Sequence, residues 1–200
     1  MLDWLEYTLY SLSICLLIFI VPGQIFFLSL NEGMKSIKNG LLMLLGVISA
    51  QFFLIILLEI GAIYLLNKYI FFVNIAGTII LIWLGFSAIY SSIKGIKISI
   101  AQSSYQSSYL RGLFLTLFNP PFIIWFITVG FSLLNKGIEI LGNIAHLIFI
   151  FSIIAGSSIV SLILIFLAAY SRKPFGEKGL RFLSFFSGIA FIILAFKLLL

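Results

Sequence analysis

Cysteine, histidine and carboxylates are scarce in this chain. One cysteine, Cys15, and one histidine, His146, accompany six Asp and Glu in 200 residues. A lone cysteine excludes an intrachain disulfide, a two-thiol relay and a multi-cysteine metal site. No His/Cys/Asp/Glu spacing fits a metal centre and no glycine-rich phosphate loop is present, so no enzymatic constellation, cofactor or metal is expected. Charge is sparse as well. Charged residues make up 9% of the chain, against about 25% in ordinary soluble domains.

Hydrocarbon fills the space that charge leaves. The chain is 62% apolar, with a mean hydropathy of +1.26. A soluble domain of this size still exposes about a third of its surface, which so few polar residues cannot cover. That excludes a soluble enzyme, a nucleic-acid-binding module and a disordered chain. The 12 Lys and Arg give a net charge of +6. In so apolar a chain they read as topology signals at a membrane surface, not as a footprint for nucleic acid. Residues 1–7 carry Asp3 and Glu6 and no basic region, so no cleavable signal peptide is expected.

A membrane helix needs about 20 apolar residues at about 1.5 Å each to cross a core of about 30 Å. Uncharged runs cover residues 7–31, 39–58, 69–93, 112–135, 140–171 and 182–196. They predict six helices, at about 8–30, 40–66, 70–92, 111–134, 143–170 and 180–199. The expected fold is therefore an all-α membrane protein, one polytopic domain over 1–200. Nine basic residues (Lys35, Lys38, Lys94, Lys97, Arg111, Arg172, Lys173, Lys178 and Arg181) fall in alternate loops, and Lys68, Lys136 and Lys197 fall on the other side. This bias places both termini outside a cytoplasmic membrane. Residues 31–39 read as the first loop. Residues 93–110, with QSSY at 102–105 and again at 106–109, read as a cytoplasmic linker, either a solvated spacer or a gating loop.

Three helices per half is an odd number, so related halves would insert upside down to one another. Repeat one would cover about 1–93 and repeat two about 111–200. Two short matches support the relation: FIVPGQIFF in helix one with LFNPPFIIW in helix four, and Gly85-Phe86 with Ala195-Phe196. The first match puts a proline break in mid-membrane at Pro22 and at Pro120-Pro121. Proline removes a backbone donor, and the carbonyl it frees needs a partner from protein, water or ligand. Paired breaks in two inverted halves are the best sequence pointer to a transporter's central site.

These residues resemble the lysine exporter family, the LysE/RhtB-type amino-acid efflux proteins, over most of the chain. The resemblance rests on Pro22-Gly23, on GMKSIKNGLLMLLGVISAQ at 33–51 and on RGLFLTLFNP at 111–120. It implies six helices and export of amino acids or similar small solutes, driven by the proton-motive force. The chain departs from the family pattern at three positions. Gln24 stands where a second proline is usual, Pro121 where a lysine is usual, and Gln51 where the residue is often acidic. One cation and one carboxylate are thereby missing from the expected site.

The candidate substrate-binding residues are Pro22, Gly23, Gln24, Gln51, Asn119, Pro120, Pro121 and Ser157. They combine freed carbonyls, amides and a small-residue stretch in mid-membrane. An ionisable group inside a membrane helix is costly and marks function by default. Glu59 and Lys197 are the candidates for proton coupling, at matched depth and within reach of each other. The structural alternative is an ion pair, or a lysine that snorkels to the surface. His146 reads as an interfacial polar residue, with a proton relay as the alternative. Trp83 and Trp125 read as packing aromatics. The function expected is export of a small polar solute, with the lipid bilayer as the other partner and no nucleic acid. Export of a metal or other inorganic ion, a non-transporting scaffold subunit and homo-oligomerisation stay open.

Overall fold

The computed structural model describes residues 2–94, 105–171 and 177–199, and every element in them is helical. In chain order they are α1 (Leu2–Ile20), α2 (Gln24–Lys35), α3 (Ile37–Lys94), α4 (Tyr105–Leu117) and α5 (Pro120–Trp125). A π-helical turn (Phe126–Gly130) follows, then α6 (Phe131–Leu141), α7 (Ile144–Ser171) and α8 (Glu177–Leu199). Ile37–Ile60 within α3, Pro121–Leu141 and α7 are each long and apolar enough to cross a bilayer. The α1–α2 pair, bent by 65°, makes a fourth candidate. Phe52, Phe53, Ile56, Leu57 and Ile60 lie exposed along the first arm of α3, a surface that suits acyl chains rather than water. The chain is a multi-pass membrane protein.

The first break falls where proline demands it. Pro22 has no N–H to give the Ile18 carbonyl, and Gly23 takes an extended backbone ahead of α2. The second break has its own cap. Asn119 Oδ1 accepts from the Phe122 amide at 3.4 Å, with the two prolines at the first helical positions of α5. Two expectations are corrected here. Residues 31–35 are the last turn of α2, not loop, and the connection shrinks to Ser36, whose Oγ accepts from the Asn39 amide at 3.1 Å and so caps α3. Residues 105–110, read as linker, are the start of α4, so the second QSSY copy is helical; residues 95–104 lie outside the described residues.

α3 is not a straight rod. Met43 and Leu84 are 41 residues apart, about 62 Å along a straight helix. Yet Met43 packs on Gly112, and Leu84 faces a hollow shared with Phe122, only ten residues beyond Gly112. The element turns back between its arms Ile37–Ile60 and Thr78–Lys94. The first arm runs antiparallel to α7, with Gly40 against Ile165, Gln51 on Ser157 and Glu59 on His146. The second runs antiparallel to α8, where Gly85 and Gly188 meet.

Glycine permits the closest crossings. A methyl on Gly112 would strike the Met43 carbonyl, and one on Gly46 would sit 2.8 Å from the Leu113 amide nitrogen. Small residues let membrane helices approach until backbones touch, which matters where no hydrophobic force drives helices together. α1 packs parallel to α7 through Gly156, whose added Cβ would lie 2.9 Å from the Cys15 carbonyl carbon. Tyr7 donates to the Leu133 carbonyl at 3.0 Å and ties α1 to α6.

Candidate functional site

The two breaks meet. Gly23 and Gln24 from one, with Asn119 and Pro121 from the other, line a hollow of about 250 Å³. Rings of Phe19, Phe26, Phe122 and Phe191 supply much of its wall, and Leu84 of the second α3 arm closes one side. Gly23, Gln24 and Pro121 are solvent-accessible while Asn119 is buried. Phe19 and Phe122 sit 5.7 Å apart, one from each break, so the rings hold the two interrupted segments together. Pro22 lies between Val21 and Gly23, both of which line the hollow. The Pro120 side chain lies outside the described residues, while its backbone opens α5.

Gln51 and Ser157 are not in this lining, contrary to expectation. The facing of α3 and α7 turns them toward each other. Ser157 Oγ lies 3.0 Å from Gln51 Oε1 and 3.0 Å from the Ile154 carbonyl. Both residues are fully buried, and Gln51 Nε2 has no hydrogen-bond partner in the structure. A second buried polar spot thus lies between α3 and α7.

Glu59 has a partner that the sequence reading did not assign. His146 Nδ1 lies 2.7 Å from its carboxylate, joining the first α3 arm to α7. Both side chains are about a third exposed. The side chain of Lys197 lies outside the described residues.

Glu32 is the functional candidate that sequence reasoning missed. Its carboxylate is wholly buried. Lys35 Nζ and Ser108 Oγ each donate to it at 2.7 Å, and Arg111 Nη1 donates at 3.3 Å. Lys35 shares its helix, whereas Ser108 and Arg111 come from α4. The signal was the i,i+3 spacing of Glu32 and Lys35, a helical ion-pair distance, hidden by reading 31–39 as loop.

Glu32 and Glu59 thus each lie about two turns from a candidate polar residue. Glu32 is eight residues beyond Gln24 on α2, about 12 Å along the helix. Glu59 is eight residues beyond Gln51 on α3, again about 12 Å. Among the described residues that line the hollow, none is charged. A larger cavity of about 480 Å³ lies between the first α3 arm and the π turn. Its walls, including outward-facing Phe53, Leu57, Phe118 and Ile127, are entirely apolar, so it offers a polar solute nothing. Trp125 is fully buried and stacks on Phe122 at 5.9 Å. Trp83 points outward instead of packing inside. Among the described residues no group of three His, Cys, Asp or Glu could hold a metal ion.

A family model for the LysE type translocator matches residues 16–200. No curated protein and no solved structure matches the chain.

Proposed function

The chain belongs to the LysE type translocator family, and from that premise we propose that it exports an amino acid or similar small polar solute across the cytoplasmic membrane. The observation that carries this reading is the convergence of two proline-interrupted segments on one hollow. Pro22 deprives the Ile18 carbonyl of its helical donor, and Ile18 faces the hollow. The first turn of α2 brings Gln24 and Ile25 to the same place, with the unsatisfied amides of a helix start. A solute's ammonium suits the freed carbonyl, and its carboxylate suits the amides. Asn119 and the Gln24 amide complete the polar set.

In this reading the molecule has six spans, the second α3 arm and α8 adding to the four candidates, with both termini outside. The halves 1–93 and 111–200 are inverted repeats that rock against each other around the hollow. Glu59 takes a proton from outside and passes it inward, and His146, within hydrogen-bond reach of its carboxylate, shares the task. Lys197 of α8 is the second group assigned to this coupling. A metal cargo fits less well, because the hollow offers it neither carboxylate nor sulfur.

The test is reconstitution into vesicles loaded with radiolabelled amino acids. An inward proton gradient should accelerate efflux from vesicles containing the native protein. Glu59→Gln should abolish that acceleration while solute exchange at equal pH continues. Unchanged proton-driven efflux in Glu59→Gln would refute the coupling role, and no flux of any tested solute would refute export.

A further inference from the structure

We propose that the hollow selects amino acids with an uncharged, apolar side chain, branched aliphatic or aromatic, and rejects dibasic and acidic ones. The inference rests on the exporter reading above and narrows it. Four phenylalanine rings, Phe19, Phe26, Phe122 and Phe191, face the space, and Leu84 adds a further apolar wall. The polar groups number few and are all neutral: the Gln24 and Asn119 amides and the backbone at the two breaks.

The carboxylates of Glu32 and Glu59 are engaged elsewhere. Glu32 is held by Lys35, Ser108 and Arg111 at one end of the molecule. Glu59 is held by His146 at the other. A zwitterion brings its own opposite charges, which neutral dipoles at the breaks can solvate in place. A lysine or arginine solute brings one further cation, with no anion among the described residues of the wall to meet it. Aspartate or glutamate brings one further anion, with no cation among the described residues of the wall. A single unpaired charge at mid-membrane is disfavoured by a factor of about 100 or more. Ring faces attract a cation only weakly by comparison. They offer an apolar side chain close contact, as other ligand pockets do. The volume of about 250 Å³ falls below the roughly 300–1,000 Å³ of drug-sized pockets, which fits one amino acid and not a peptide.

Counterflow in proteoliposomes tests this without any assumption about the coupling ion. Vesicles preloaded with unlabelled solute would be offered radiolabelled leucine, phenylalanine, lysine and glutamate in turn. Leucine and phenylalanine should exchange about 100-fold faster than lysine and glutamate. Lysine or glutamate exchanging as fast as leucine would overturn the inference and leave the exporter reading standing. Exchange of none of the four would overturn both. Gln24→Glu supplies the missing anion in a near-isosteric side chain, and should raise the lysine-to-leucine ratio at least about tenfold. An unchanged ratio in a variant that still moves leucine would overturn the inference. If Gln24→Glu does not fold, Asn119→Asp makes the same test from the other break.

Discussion

The Glu32 cluster gives the most direct quantitative test of the structure. Its carboxylate is fully enclosed and accepts from Lys35, Ser108 and Arg111. Removing one partner of a buried ion pair costs about 3–5 kcal/mol, because the other charge is left uncompensated. Here the partners have an exit. Arg111 is 34% exposed and Lys35 16%, so both cations can turn toward water once the carboxylate is neutral. Glu32→Gln also keeps one oxygen to accept from Ser108. The expected loss is therefore reduced to about 1–3 kcal/mol. For a chain of this length that is about 2–12 °C in Tm, at 2–4 °C per kcal/mol. Thermal unfolding of the detergent-solubilised protein would read it. A double-mutant cycle with Arg111→Gln separates the α2–α4 bond from a general effect of lost charge. The coupling should be at least about 1 kcal/mol. A coupling below about 0.3 kcal/mol would mean that Glu32 and Arg111 act independently, and the bridge between α2 and α4 would be refuted.

Two further outcomes follow from packing. Gly112→Ala drives a methyl into the Met43 carbonyl at the α3–α4 crossing and should cost about 1–3 kcal/mol in the same unfolding assay; Gly130→Ala, whose methyl would meet the Phe149 ring at 3.5 Å and the Phe126 ring at 3.9 Å, ordinary contact distances, is the control that should change little, and equal stability of both variants would refute the crossing. Gln51→Leu removes an amide nitrogen that is buried without a partner and leaves Ser157 bonded to the Ile154 carbonyl; stability should hold within about 1 kcal/mol or rise, and a loss above about 2 kcal/mol would show that the amide is satisfied in the native protein.

The sequence carried the breaks but not their surroundings. Proline acts locally, through a missing N–H and a clash, so Pro22 and Pro120-Pro121 were legible without tertiary information. That the two breaks share one hollow depends on which faces of the helices meet, and an almost uniformly apolar helix carries little phase information. The same reason explains why Gln51 and Ser157 were grouped with the site. Both lie in mid-helix by sequence, but position along a helix does not say which neighbour a side chain faces. Glu59 shows the limit in another form. Lys197 was assigned to it by matched depth and its side chain lies outside the described residues, while His146, a partner the sequence reading did not assign, is 87 positions away on the helix that packs alongside. Glu32 was lost through a boundary. Charge ended the apolar run, the run was taken as the helix, and the last turn that buries Glu32 was left out.

What joins these observations is where the polar groups lie relative to one another. Ion-pair partners within a bilayer must find each other inside the protein, because lipid offers no counter-charge. In this chain two carboxylates are bonded across elements far apart in sequence, α2 to α4 by Glu32 and α3 to α7 by Glu59. Each pair straddles the boundary between residues 1–93 and 111–200. Arg111 and His146 are each about a third exposed, so water reaches one partner of each pair. The hollow between them is bounded by neutral dipoles and rings, which need no such hydration. Bonds near either end that water can reach, with a neutral hollow apart from both, fit the alternating access proposed above. It also dictates the difference to measure. Glu32→Gln and Glu59→Gln should each change which end of the protein is accessible, read by cysteine labelling at opposite faces in a Cys15→Ala background. Leucine affinity at the hollow should stay the same in both variants, and a large loss of that affinity in either one would place its carboxylate in the binding site.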